Sequence, residues 1–220
     1  AKNVIPPHTD ESIYEIIDNC SLSIDEEHEF KLFIEGLGIE YLCTPFSSKA
    51  AHILGEMNVN AFKIGSGECN NFAVLDAAAK YKKPMIISTG MNTLSSCQKT
   101  YDYVKNKIGN NIVLLHTTNL YPTPFNLVRL GGVIELSNIA GEFIGLSDHT
   151  TNNLACLGAI AMGAVVVERH FTDTKDRKGP DIINSMDPSE LKELKKNSLL
   201  MFKMRGGSKE TEIPEEDGIR

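Results

Sequence analysis

The segment Lys63-Ile64-Gly65-Ser66-Gly67-Glu68 places a cation, a hydroxyl, two glycines and a carboxylate at the end of a short apolar run. That combination suits a phosphorylated anion, because glycines let backbone N–H groups approach it and Lys63 supplies charge. A tight turn with a surface lysine is the plain alternative, and a lone glycine-rich hexapeptide does not choose between the two. Polar groups recur after the next apolar runs, at Ser88-Thr89-Gly90, His116-Thr117-Thr118-Asn119 and Ser147-Asp148-His149. Singly, such hydroxyls serve as helix N-caps. Four in register point to convergence on one site.

His149 and His170 each follow one of two consecutive apolar runs. If those runs are neighbouring parallel strands, about 4.8 Å apart, both imidazoles can face one point and begin a metal site. No cysteine accompanies them, so carboxylates and water would complete the set. Such a set suits a catalytic divalent ion, Mn2+ or Mg2+, better than a structural zinc. Asp148 reads either as a partner behind a ligand or as a helix N-cap. Asp181, after Arg177-Lys178-Gly179-Pro180, is a loop carboxylate, either simply exposed or able to close over a polyol.

Positioning these groups falls to short β-branched runs: Ile39–Cys43, Ala61–Ile64, Pro84–Ile87, Ile112–Leu115, Phe143–Leu146 and Val165–Val167. Between them Ser47–Met57, Asn71–Tyr81, Ser95–Lys107 and Asn153–Met162 have helical character, each opened by a capping Ser or Asn. The repeated βα pattern predicts a parallel sheet covered by helices, and the all-apolar Val165-Val166-Val167 predicts a strand buried on both faces. An open doubly wound sheet would gather its polar residues at one switch point. Their recurrence after each strand favours a TIM (β/α)8 barrel, of which six strands would be present. Residues Ala1–Leu37 read as helical, with a capping box at Ser23–Glu26. Pro188–Met204 reads as a further helix, and Gly206–Arg220 as a linker.

The chain has 220 residues, 41% hydrophobic and 23% charged, with a formal net charge of −7. These values exclude disorder, and the acidic balance without a basic, aromatic-laced face excludes a nucleic-acid partner. The longest apolar run, Leu154–Val167, is broken by Gly158 and Gly163, so no membrane span is expected. Five scattered cysteines without a CxxC pair suggest a reducing, cytoplasmic setting rather than a disulfide framework. The chain begins with Ala1 and not Met, so a processed or truncated piece of something longer is expected.

The sequence resembles the sialic acid synthase family, the phosphoenolpyruvate-condensing enzymes that make N-acetylneuraminate and related nonulosonic acids. The resemblance rests on Thr44-Pro45-Phe46-Ser47, on Phe62 through Asn71, and on Ser88-Thr89-Gly90-Met91. It continues through Thr118 to Pro124, Gly145 to Thr150, and Glu168-Arg169-His170-Phe171-Thr172 followed by Gly179-Pro180-Asp181. These motifs cover almost the whole chain in family order. The resemblance implies a (β/α)8 barrel joined to a C-terminal antifreeze-like domain, working as a domain-swapped homodimer with a divalent metal, typically manganese. By motif, His149 and His170 are implied as metal ligands, and Lys63, Ser66, Ser88, Asn119 and Ser147, with Thr44, as the phosphoenolpyruvate pocket. Glu68, Tyr121 and Asp181 are implied as contacts to an acylated amino sugar. Glu68 is also the expected group for orienting the water that adds to the substrate.

Against that pattern, the first two barrel strands are absent from this chain, so residues 1–205 would form a partial barrel and residues 206–220 a linker toward an absent antifreeze-like domain. The activity implied is condensation of phosphoenolpyruvate with an N-acylated mannosamine-type sugar. The competing readings are another phosphoenolpyruvate-condensing or metal-dependent aldolase barrel, and an inactive sugar- or phosphate-binding fragment.

Overall fold

A computed structural model describes Ile5 and residues 10–219. The helical expectation for residues 1–4 and 6–9, and the linker expectation for Arg220, lie outside the described residues. The chain opens with two short helices, α1 (Ile13–Asn19) and α2 (Ile24–Gly36). Each is started by a reciprocal capping box, Ser12 with Glu15 and Ser23 with Glu26, which satisfies N–H groups that the first helical turn leaves unpaired.

Five parallel strands follow: β1 (Phe62–Ile64), β2 (Met85–Ser88), β3 (Ile112–Thr117), β4 (Ile144–Asp148) and β5 (Val166–Arg169). They pair in sequence order, β1-β2-β3-β4-β5, so each strand joins the next and the sheet has no switch point. The intervening helices are α4 (Phe72–Ala79), α5 (Leu94–Ile108), α6 (Gly131–Ala140) and α7 (Leu154–Ala161). α3 (Ser48–Glu56) precedes β1, and α8 (Pro188–Arg205) follows β5 and packs on α7. Successive side chains in a strand point to opposite faces. On the helix-facing side, Phe62, Ile64, Met85, Ile87, Ile112, Leu114, Ile144 and Leu146 are all at most 2% exposed. Each such side chain contributes about 1.5–3 kcal/mol of burial, which makes this layer the core.

The sheet is strongly curled. Four strand spacings would separate β1 from β5 by about 19 Å if it were flat. Yet Lys63 of β1 and Glu168 of β5 form an ion pair at 3.4 Å across the inner face. No lysine and glutamate reach across a flat sheet of that width, so the five strands form a half-barrel with a concave inner surface.

Three expectations need correction. Ile39–Cys43 is not a strand: it makes no ladder with β1, and side chains anchor it instead. Tyr41 is buried, bonded to Glu27 and packed edge-on to Phe30, while Glu40 accepts a hydrogen bond from Asn60 at 2.6 Å. β5 is not buried on both faces; Val165 is 50% exposed and β5 is half-buried throughout, because it is an edge strand among the described residues. The caps also differ. Thr93, not Ser95, caps α5, and Asn153 makes no capping bond because its side chain joins Arg169 and the Glu190 carbonyl instead. Residues 206–219 are exposed and hold one 3-10 helix, Pro214–Ile219. Among the described residues no helix is long and apolar enough to cross a membrane.

Candidate active site

Every strand from β2 onward runs one or two residues further than the apolar pattern predicts, so the polar residues lie inside the strands and take their directions from strand alternation. The pairing aligns Thr117, Ser147 and Glu168 side by side, and Ser88 with Leu115, Gly145 and Val166 one layer below. These face the concavity. Asp148, Arg169 and His116, one residue out of step, face the helices. Asp148 is therefore neither of its two expected roles: it pairs with Arg169 at 3.4 Å, both side chains 1% exposed, and accepts from the Thr150 N–H and hydroxyl. This buried pair fastens the ends of β4 and β5 together directly below His149 and His170.

Inside the concavity, Lys63 Nζ donates to Ser88 Oγ at 2.9 Å and pairs with Glu168 Oε2, while Ser147 Oγ donates to Glu168 Oε1 at 2.7 Å. Lys63 is largely buried, and burial pulls its ammonium below the usual lysine range, partly opposed by Glu168. Ser66 begins a 3-10 turn, Ser66–Glu68, whose hydroxyl accepts from the Gly90 N–H at 3.0 Å. Gly90 is a true close approach: a Cβ there would lie 2.0 Å from Asn119 Oδ1, an oxygen that is buried with no hydrogen-bond partner among the described residues. Thr44 packs against this turn, since a Cβ on Gly65 would lie 3.5 Å from its methyl. The glycines of the hexapeptide are less constrained than their spacing suggests; Gly65 adopts φ −70°, and a Cβ on Gly67 would meet nothing.

His149 and His170 come together as expected, with ring centroids 5.3 Å apart. Tyr121 lies against both, stacked on His149 at 4.1 Å and edge-on to His170 at 5.6 Å. The loop carrying Tyr121 is tied to β4 twice, by Thr123 N–H donating to the His149 carbonyl and by His149 Nδ1 bonding the Thr118 carbonyl, each at 2.9 Å. A carbonyl only accepts, so Nδ1 carries the proton and Nε2 presents its lone pair. Burial lowers the pKa of His149 and keeps the ring neutral, the form that binds metal. Asp181 Oδ2 stands 3.7 Å from His170 Nδ1. Two imidazoles whose Nδ1 atoms face the Thr118 carbonyl and the Asp181 carboxylate fit a divalent ion as a pair of ligands, while among the described residues no group of three or more His, Cys, Asp or Glu is gathered to complete the set. Glu68 is half-buried, and its carboxylate accepts from the side chain of Asn71.

Sequence reasoning assigned no role to Glu168, which the structure puts at the centre of the site. The signal was present: Glu168 stands two residues before His170, the spacing that puts alternate residues of an extended chain on one face.

A curled parallel sheet with an anion-suited lysine pocket and a histidine pair at the carboxyl ends of its strands defines the α/β barrel-like class that builds its sites at this end of the sheet. Within that class the chain belongs to the NeuB family, whose profile matches residues 2–210. It is 38% identical over 187 residues to the N,N'-diacetyllegionaminic acid synthase of Campylobacter jejuni, covering 84% of this chain and 56% of that protein. It is 34% identical over 197 residues to the N-acetylneuraminate-9-phosphate synthase of Homo sapiens, covering 89% of this chain and 55% of that one. The fold matches the crystal structure of the N-acetylneuraminic acid synthetase of Leptospira borgpetersenii with a TM-score of 0.88 at 27% identity, over 93% of this chain and 72% of that one. The chain thus spans little more than half the length of these two curated relatives.

Proposed function

We propose that this chain carries the substrate-holding part of a nonulosonic acid synthase, which condenses phosphoenolpyruvate with an N-acylated mannosamine-type sugar and releases phosphate. The observation that carries the reading is the convergence, on one concave surface, of the Lys63–Ser88–Ser147–Glu168 network and the His149–His170–Tyr121 cluster. Kinship with synthases of legionaminic and neuraminic acids supports it.

In this reading Lys63, Ser66, Ser88, Asn119 and Ser147, with Thr44, bind the phosphate and carboxylate of phosphoenolpyruvate; the side-chain amide of Asn119 is available for this, its buried oxygen having no hydrogen-bond partner among the described residues. Tyr121 and Asp181 contact the sugar. His149 and His170 would hold a divalent ion, Mn2+ or alternatively Mg2+, which when bound supplies Lewis-acid polarisation of the sugar aldehyde. Fixing both substrates on one surface turns their encounter into an oriented reaction. C3 of phosphoenolpyruvate bonds to the aldehyde carbon, water adds at C2, and the C2–O bond to phosphate breaks. Glu68 orients that water. The strands belong to a (β/α)8 barrel completed by residues beyond this chain, residues 206–220 lead toward an antifreeze-like domain, and the whole protein is a cytoplasmic, domain-swapped homodimer.

The test is phosphate release from phosphoenolpyruvate with Mn2+, offering N-acetylmannosamine, its 6-phosphate and a diacetamido trideoxy hexose in turn. It is run on this chain and on a version extended to the length of its relatives. Release that depends on one of the sugars is expected; no sugar-dependent release by the extended protein would reject the reading.

A further inference from the structure

We propose that Glu168 is a positioning residue of the anion pocket, holding the Lys63 ammonium and the Ser147 hydroxyl in place across the concave face. The proposal deepens the reading of that pocket as the phosphoenolpyruvate site. The two oxygens of Glu168 divide their work: Oε1 accepts from Ser147 Oγ at 2.7 Å, and Oε2 lies 3.4 Å from Lys63 Nζ. Lys63 is on β1 and Glu168 on β5, so this pair joins the two edge strands of the described sheet through its interior. Lys63 also donates to Ser88 and, at 3.4 Å, to the Ile64 carbonyl. Both of those partners are uncharged, and among the described residues Glu168 is the one carboxylate paired with Lys63.

A lysine side chain that is only 11% exposed tends to lose its proton, because burial disfavours the charged form. A neutral Lys63 would bring a donor but no charge to an anionic substrate. Glu168 opposes that loss by charge and by hydrogen bonding, and it gives the flexible four-carbon chain a fixed end point. Of the neighbouring titratable groups, Tyr121 and His149 also feel the Glu168 carboxylate, and Asp181 and His170 adjoin those two. The decisive readout is therefore taken at Lys63 itself.

The experiment is an NMR pH titration of the chain labelled with 13C at lysine Cε, the Lys63 signal being assigned by its loss in Lys63→Met. In Glu168→Gln the amide keeps the side-chain shape and its oxygen can still accept from Ser147, but the charge is gone. Lys63 is expected to titrate about one pH unit lower than in the wild type. Phosphoenolpyruvate affinity, measured by calorimetry, is then expected to fall in the variant at alkaline pH and to match the wild type where Lys63 remains charged. An unchanged Lys63 titration would overturn the proposal. So would tighter phosphoenolpyruvate binding by Glu168→Gln at every pH, the mark of a carboxylate that merely repels anions. Glu168→Ala carries the same test should the glutamine variant not fold. If neither protein binds phosphoenolpyruvate, the assignment of the pocket fails, while the Lys63 titration still decides the role of Glu168.

Discussion

The two faces of the sheet are built from the same strands yet follow opposite rules. Toward the helices, Phe62, Ile64, Met85, Ile87, Leu114 and Leu146 are sealed from water, and the charged groups there, Asp148 and Arg169, are buried and paired. Toward the concavity, the adjacent residues Lys63, Ser88, Ser147 and Glu168 form a polar network open to the site, with Glu168 41% exposed at its side chain. One step along a strand therefore separates a residue that holds the fold from one that lines the candidate site. The contrast teaches that stability and chemistry here are interleaved and not segregated into separate regions.

The contrast breaks first, if it breaks, at the Asp148–Arg169 pair. Asp148→Ala leaves a buried guanidinium unpaired and is expected to cost about 3–5 kcal/mol in urea unfolding. The neighbouring Ser147→Ala should cost about 1 kcal/mol or less. Equal losses at the two positions would show that the faces are not distinct. Leu146→Ala comes next, at about 2–4 kcal/mol for a side chain 1% exposed, again by urea unfolding. On the other face, Lys63→Met should leave the unfolding midpoint near the wild-type value while weakening phosphoenolpyruvate binding about 10- to 100-fold by calorimetry, since a charge-assisted contact is worth about 1.5–3 kcal/mol. An unchanged affinity would remove Lys63 from the pocket.

The smallest effect distinguishes the faces by pH. His116 faces the helices, bonded to the Val128 carbonyl, and His149 faces the site; burial lowers the pKa of both. A histidine whose pKa is lowered by folding adds nothing unfavourable above about pH 6.5, where both states are neutral. As pH falls through that value the unfolded chain binds the proton more readily, so stability declines until the folded-state pKa is passed. Thermal melts between pH 7.5 and 5 should show this decline. If His149 holds a divalent ion as proposed, saturating metal should deepen the decline in the wild type, because an imidazole must be neutral to ligate, but not in His149→Ala.

Much of this was legible in residue order. Gly-Ser-Gly after Lys63, and the polar groups at Ser88, Asn119, Ser147 and His149, marked the strand ends because a parallel sheet places them all at one end. The pairing of His149 with His170 followed from the adjacency of β4 and β5. What escaped was direction. The side chain of Asp148 was ambiguous while the end of β4 was set two residues short, at Leu146 rather than Asp148, since alternation assigns faces only to residues known to lie in the strand. Ile39–Cys43 looked like a strand by composition, but β-propensity does not supply a partner for the backbone, and this segment found anchors for Tyr41 and Glu40 instead.

The sequence by itself determined the parallel βα order, the end of the sheet that bears the site, and the cations, hydroxyls and imidazoles available there, because period-two and helical patterning are local properties of the chain. Only the tertiary structure decided that the sheet curls far enough for Lys63 to meet Glu168 across five strands, and that Asp148 turns away to Arg169. Curvature accumulates over every strand pair, and a contact between β1 and β5 is set by that sum and by no local segment.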